Sequence, residues 1–254
     1  MRTLARINVT PVKGTTLLHP ERVELTSIGI PENRRYWLVD ERGSLYSGSD
    51  HGPLVAVRAE AEGDRLRVTF PDGGRLESDG SRTAGSVTTN FFGRTVPGHV
   101  VAGPFSEAWS TYVGAPVRLV RGDHDGDGPD EMPLTLVSYA SVRSLAEGGG
   151  HDGELDPLRF RLNLELEGCD PYEEDSWDGR RVRIGGAVIR LGGPVPRCIV
   201  TTQDPATGLK DWDTLGQIAA QRAQIPGGGL PFGMYATVET PGAVAVGDPV
   251  DPLD

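Results

Sequence analysis

The segment Pro194-Val-Pro-Arg-Cys-Ile-Val-Thr-Thr-Gln-Asp-Pro-Ala-Thr-Gly208 decides how the rest of the chain is read. Cys198 follows Arg197 directly and opens an apolar, β-branched run, which predicts a strand over residues 198–202. A thiol at the edge of a β-element beside a fixed positive charge can be held as thiolate. That is the form a nucleophile or a soft-metal ligand must take. The other cysteine, Cys169 in Glu167-Gly-Cys-Asp-Pro171, reads as a packed thiol at a strand end. Two cysteines in 254 residues build no disulfide framework.

Outward from this segment, the chain reads as globular, with 37% hydrophobic and 24% charged residues. Its 35 glycines and 20 prolines break helices and supply turns, which favours a β-heavy architecture. A net charge of −11 opposes broad binding to nucleic acid or to an anionic membrane, so neither is expected as a partner. No apolar stretch approaches the ~20 residues of a membrane helix. Met-Arg-Thr-Leu-Ala-Arg at the start lacks the apolar core of a signal peptide, so a cytoplasmic location is expected.

Short runs at 4–9, 22–25, 35–40, 54–59, 65–70 and 117–121 predict strands, and 103–114 a short amphipathic helix. The polar segment Gly122-Asp-His-Asp-Gly-Asp-Gly-Pro-Asp130 marks a boundary between residues 1–122 and 123–254. The second half predicts strands at 134–137, 161–166, 182–184, 187–191 and 234–239, with a closing strand and turn over 244–250. It also predicts helices from Ser138, a suitable N-cap, to about residue 147, and over 212–222. The fold class is therefore mainly β with a few short helices (α+β), in two β-rich lobes, the second barrel-like.

Asp123-His-Asp125-Gly-Asp127-Gly128 matches the front of a calcium loop. The twelfth position is Leu134 and flanking helices are missing, so a solvated loop is the better reading. Histidines 19, 51, 99, 124 and 151 have no zinc spacing. The chain contains no Gly-x-Ser-x-Gly, Gly-x-Gly-x-x-Gly or Walker-type loop. What stands out are cations embedded among apolar residues: Lys13, Arg35, Arg161 and Arg197. Separately they read as surface ion pairs or snorkelled stems; converged they would form an anion pocket. The residues alone leave Cys198 open between a packed thiol and a working one.

An ordered set of segments resembles the MOSC superfamily, in the branch with an N-terminal MOSC β-barrel that includes the amidoxime-reducing components. These are Pro11-Val-Lys-Gly14, Arg34-Arg-Tyr-Trp-Leu-Val-Asp40, Phe160-Arg-Leu-Asn163, Gly168-Cys-Asp170, Glu174-Asp-Ser-Trp-Asp178, Arg197-Cys-Ile-Val-Thr-Thr-Gln-Asp-Pro205, Leu230-Pro-Phe-Gly233 and Val246-Gly-Asp-Pro-Val250. The resemblance implies an N-terminal β-barrel-like domain over 1–122 and a MOSC β-barrel domain over 123–254, with the cofactor segment at about 158–208. It implies the molybdenum cofactor (Mo-molybdopterin), with Cys198 as metal ligand and catalytic centre. Lys13 and Arg35 would hold the pterin phosphate, and Arg161, Asn163 and Arg197 would line the cofactor. Asp130, Glu131 and Met132 match a loop that adds further contacts.

This sequence departs from the family at Gly14 and Pro196, cofactor-shell positions where relatives carry serine. Leu162 replaces a proline, and Ser49 falls near an arginine of the relatives. The implied activity is reduction of N-oxygenated compounds (hydroxylamines, amidoximes, N-oxides) by oxygen-atom transfer. Electrons would come from a separate iron–sulfur or haem carrier with its reductase, since a cluster of its own needs four thiolates. Asp204 or Asp175 would handle protons. The alternative is a carrier of the cofactor or of sulfur without reductase turnover.

Overall fold

The structure, a computed structural model, describes residues 1–227 and 229–253, with the backbone alone for residues 82–84. Asp254, the end of the expected second domain, lies outside the described residues. The first half contains β1 (Thr3–Ile7), β2 (Arg22–Leu25), β3 (Tyr36–Val39), β4 (Leu45–Tyr46), β5 (Arg58–Glu62), β6 (Arg65–Thr69), β7 (Arg75–Ser78), β8 (Arg82–Phe91), β9 (Arg94–Val101), α1 (Phe105–Val113) and β10 (Arg118–Gly122). The second contains β11 (Leu134–Ser138), α2 (Tyr139–Gly148), β12 (Leu164–Glu167), β13 (Arg181–Ile184), β14 (Ala187–Arg197), α3 (Thr214–Gln221), β15 (Leu230–Thr240), β16 (Gly242–Ala245) and β17 (Val250–Pro252). The chain is mainly β, as expected. No helix among the described residues is long and apolar enough to cross a membrane.

In the first half, a five-stranded sheet, β4-β3-β10-β9-β8, is joined by the meander β5-β6-β7. Every residue of β3 is buried because both faces of this strand are covered. Tyr36 and Leu38 pack with Leu66, Val68, Phe105 and Trp109, while Trp37 and Val39 pack on the other face with Val87, Phe91 and Val96. In the second half, seven strands run β1-β12-β11-β15-β14-β13-β17. The two ends of this sheet meet: Thr3 bridges Pro249, Leu4 N donates to Asp248 O at 2.9 Å, and Val250 N donates to Arg2 O at 3.0 Å. This nearly closes a barrel around Leu4, Ile7, Leu136, Leu164, Ile189 and Ala236. β1 therefore belongs to the second barrel although it opens the chain, and β2 pairs with β16.

The β14–β15 ladder positions the segment that begins at Cys198. Its register shifts between Leu191 and Pro194 and again between Pro194 and Pro196. A proline has no N–H for a ladder, and such irregularities bend the bulged strand. β14 ends at Arg197, and residues 198–202 do not continue it: Ile199–Thr202 is a 3-10 turn. The two threonines cause this, since Thr201 Oγ1 donates to Cys198 O at 3.0 Å and Thr202 Oγ1 to Ile199 O at 2.7 Å. Hydroxyls that bond locally to the backbone outcompete the β-preference of the run. The expected strand over 54–59 is likewise replaced by a 3-10 turn, Gly52–Ala56, with Pro53 in its first turn, and β5 starts only at Arg58. The strand expected from Arg161 begins at Leu164 because Arg161 takes φ 53°. Ser138 caps α2 as expected, accepting from Ser141 N.

Candidate functional site

Between the two halves lies a cavity of ≈ 190 Å³, lined by Cys198, Lys13, Arg34, Arg159, Arg161 and Arg197 among others. Cys198 is a free, exposed cysteine, extended at φ −122° and ψ 179°. It caps the following turn with its backbone alone, which leaves the thiol free for other chemistry.

The cations arrive from three directions. Lys13 is carried by a segment whose N–H is tied to Tyr36 O at 2.8 Å, and its ammonium donates to Gly128 O at 3.2 Å and pairs with Asp130. Arg34 and Arg161 both take the left-handed backbone, at φ 55° and 53°, a conformation that costs a bulky residue roughly 1–2 kcal/mol. These two strained residues lock together, Arg34 Nη2 donating to Arg161 O at 3.2 Å. Arg34 also lies 3.5 Å from Asp130 Oδ2, and Arg161 Nη2 donates to Thr15 O at 2.5 Å. Arg197 donates to Phe160 O and lies over that ring, with its Nε buried and without a hydrogen-bond partner.

Asp130 is the acid that pairs with these groups, so positive charge outweighs negative. Burial pushes the Lys13 ammonium down to about 8, with Arg34 and Arg161 beside it opposing the help it gets from Asp130. Burial and Arg34 push the Arg161 guanidinium down as well, and burial lowers that of Arg197. A guanidinium keeps its proton in proteins, so this crowding shows itself as demand for an anion. Burial alone would raise the Asp130 carboxyl, yet Lys13 and Arg34 hold it below the usual carboxylate range.

Of the other expected residues, Gly14, Asp130, Met132 and Asn163 line this cavity. Gly14 takes φ 94°, which explains a glycine there. Asn163 is fixed by Thr135, whose Oγ1 donates to its Oδ1 at 3.0 Å, and by its own Nδ2 donating to Asn8 O at 3.2 Å. Glu131 is exposed, and Pro196 is exposed and pairs with Pro231 in the β14–β15 ladder; neither lines the cavity.

Arg35 corrects the expectation most clearly. Its Nε donates to Asp125 at 2.9 Å and its Nη1 to Gly63 O at 2.8 Å, away from the cavity. The left-handed turn at Arg34 sends that guanidinium inward instead. Asp175 is engaged with Arg222 and does not line the cavity, whereas Asp204 does.

Sequence reasoning gave no site role to Arg34, Arg159, Thr135 or Tyr235, and of the Ser47–Ser49 loop, which Asp50 Oδ2 holds through Ser47 N at 2.9 Å, it singled out only Ser49. The one signal for Arg159 was its place two residues before Arg161 in Arg159-Phe-Arg161.

Among known proteins, the chain is similar to human mitochondrial amidoxime reducing component 2, with 27% identity over 98% of this chain and 82% of that protein. It is equally similar to human mitochondrial amidoxime-reducing component 1, with the same identity and the same coverage. The YUAD protein of Bacillus subtilis, a solved structure, aligns over 98% of this chain and 94% of its own, with 14% identity and a TM-score of 0.47. Residues 123–251 match the MOSC domain and residues 1–116 the MOSC N-terminal beta barrel domain, so the chain belongs to the MOSC family.

Proposed function

We propose that this protein is a molybdenum-cofactor oxidoreductase that reduces small N-oxygenated compounds: hydroxylamines, amidoximes and N-oxides. The observation that carries the reading is an accessible thiol, Cys198, in a cavity where buried Lys13 and half-buried Arg34, Arg161 and Arg197 gather around Asp130. Among the described residues no group of three or more His, Cys, Asp or Glu side chains could hold a metal by itself. A metal at Cys198 would therefore bring most of its ligands with it, which suits a pterin dithiolene. The anion demand of buried Lys13 and of Arg161 beside it fits a ligand carrying a phosphate.

In this reading Cys198 ligates the metal as thiolate, which suits the softness of molybdenum. Lys13, Arg34, Arg161 and Arg197 would hold the anionic part of the cofactor, with Asn163, Asp130 and Met132 around it. When bound, the cofactor would supply two-electron redox chemistry. Reduction of an N-hydroxy group consumes two electrons and two protons and releases water. Asp204, at the cavity wall and held ionised by Thr207, is placed to orient a cationic or hydrogen-bond-donating group. Cys169, whose thiol burial and Glu174 push up to about 12, leaves no thiolate set for an iron–sulfur cluster. Electrons would come from a separate carrier, and the net charge of −11 suits one with a basic face. The relatives are named mitochondrial; for this chain we propose a cytoplasmic location.

The test is turnover of a simple amidoxime with a reduced viologen as artificial donor. Amidine formation that depends on bound molybdenum is expected. Bound molybdenum without turnover would replace the reductase with a cofactor carrier.

A further inference from the structure

Arg159 is only 3% exposed and reaches two segments that follow Cys198. Its Nη2 donates to Asp211 Oδ2 at 2.8 Å and its Nη1 lies 3.2 Å from Asp211 Oδ1, a two-pronged pair. The same Nη1 donates to Thr201 O at 3.2 Å, where Thr214 Oγ1 also donates, at 2.7 Å. Trp212 lies beside the guanidinium, with 5.8 Å from its carbon to the ring centre. Thr201 in turn grips Cys198: its N and its Oγ1 donate to Cys198 O at 3.1 and 3.0 Å. An unbroken chain of hydrogen bonds thus runs from Asp211 through Arg159 and Thr201 to the backbone of Cys198.

We infer that Arg159, oriented by Asp211 and seconded by Thr214, is the positioning residue that sets the direction in which the Cys198 thiol enters the cavity. The inference rests on the reading of Cys198 as a metal ligand. Its physical basis is that the local hold is a single residue: within the turn only Thr201 binds Cys198 O, and Thr201 is itself held by Arg159. Ile199–Thr202 is a single 3-10 turn, a geometry whose hydrogen bonds are weaker than those of an α-helix, and the Cys198 side chain makes no capping bond. β14 ends at Arg197. An unclamped turn would let the thiol wander by more than the ~0.5 Å that a metal ligand tolerates. A planar guanidinium can hold a carboxylate with two donors and a carbonyl at the same time; a lysine ammonium supplies the charge without the fork. Arg159 also differs from its neighbours in function. Arg34, Arg161 and Arg197 each donate to one backbone carbonyl, whereas both terminal nitrogens of Arg159 are committed, to Asp211, Thr201 and Thr214.

The test reads the thiol itself. Full-length chain produced without the pterin cofactor is treated with iodoacetamide across a pH series, and labelling of Cys198 is followed by mass spectrometry with added glutathione as reference thiol. Arg159→Lys and the milder, near-isosteric Thr214→Val are compared with wild type, and thermal midpoints are recorded alongside. The expected result is a change in the Cys198 labelling rate of about fivefold, the weight of one hydrogen bond, with the glutathione rate unchanged. A lower thermal midpoint with the Cys198 rate and its pH profile as in wild type, in both variants, would reduce Arg159 to a packing role and overturn the inference. Molybdenum content of Cys198→Ser tests the ligand reading separately and leaves the labelling comparison intact.

Discussion

Lys13 shows how far a single residue can be read from sequence, and where that reading ends. Its charge among apolar neighbours was visible in Pro11-Val-Lys-Gly14, and the structure places it 8% exposed beside Arg34 and Asp130. Because burial lowers Lys13 to about 8 while an unfolded lysine titrates at about 10.5, the unfolded chain holds more protons between those values. The contribution of this group to stability therefore rises as pH climbs from about 8 towards 10.5. Affinity for an anion moves the opposite way, since a neutral amine cannot hold a phosphate. Binding of inorganic pyrophosphate, measured by calorimetry, should be stronger below pH 8 than above pH 9, and Lys13→Gln should flatten that dependence. Arg35 marks the limit: the doublet Arg34-Arg35 is legible, but which member faces the cavity depends on a left-handed φ that no residue pattern announces. Arg159 was missed for a related reason. Its partners Thr201, Asp211 and Thr214 lie more than forty residues away, and only the folded chain brings them together.

Elements were legible where one face is buried and polar residues alternate, as in β6 with its pattern Arg-Leu-Arg-Val-Thr, and where a capping residue stands alone, as Ser138 before α2. They were hidden where polar residues go inside. β8 alternates correctly through Val87, Thr89 and Phe91, but Thr89 is buried because it accepts the Trp37 Nε1–H at 3.0 Å. β9 contains Pro97, which argues against a strand unless a partner is known, yet Pro97 pairs with Thr88. The 3-10 turn after Cys198 was hidden by threonines that looked like strand residues. Close backbone contact between the halves supports that turn: a Cβ on Gly208 would meet Gly52 O at 2.0 Å, at φ 73°. Gly63, at φ 59°, has open space around its Cβ position. Gly63→Ala should therefore cost about 1–2 kcal/mol of backbone strain. Gly208→Ala should cost that plus a further ~1–3 kcal/mol of overpacking, a difference that urea unfolding of the two variants resolves.

At the scale of the molecule, the mainly β class followed from glycine, proline and short apolar runs, and the resemblance supplied the family. The way the chain closes on itself was not legible. β1 and β2 leave the first half to pair with β12 and β16, contacts across more than 150 residues, because the barrel needs a strand between β12 and the end of β17. This crossing matters for the site: the segment that follows β1 delivers Lys13 to the same cavity that β14 and its turn supply with Arg197 and Cys198. The central claim is that this shared cavity holds molybdenum through one thiolate. Metal content of the purified wild type beside Cys198→Ser tests it most directly. Near-stoichiometric molybdenum is expected in wild type and a strong loss in the variant. Equal, near-stoichiometric molybdenum in both, with the same coordination spectrum, would contradict it.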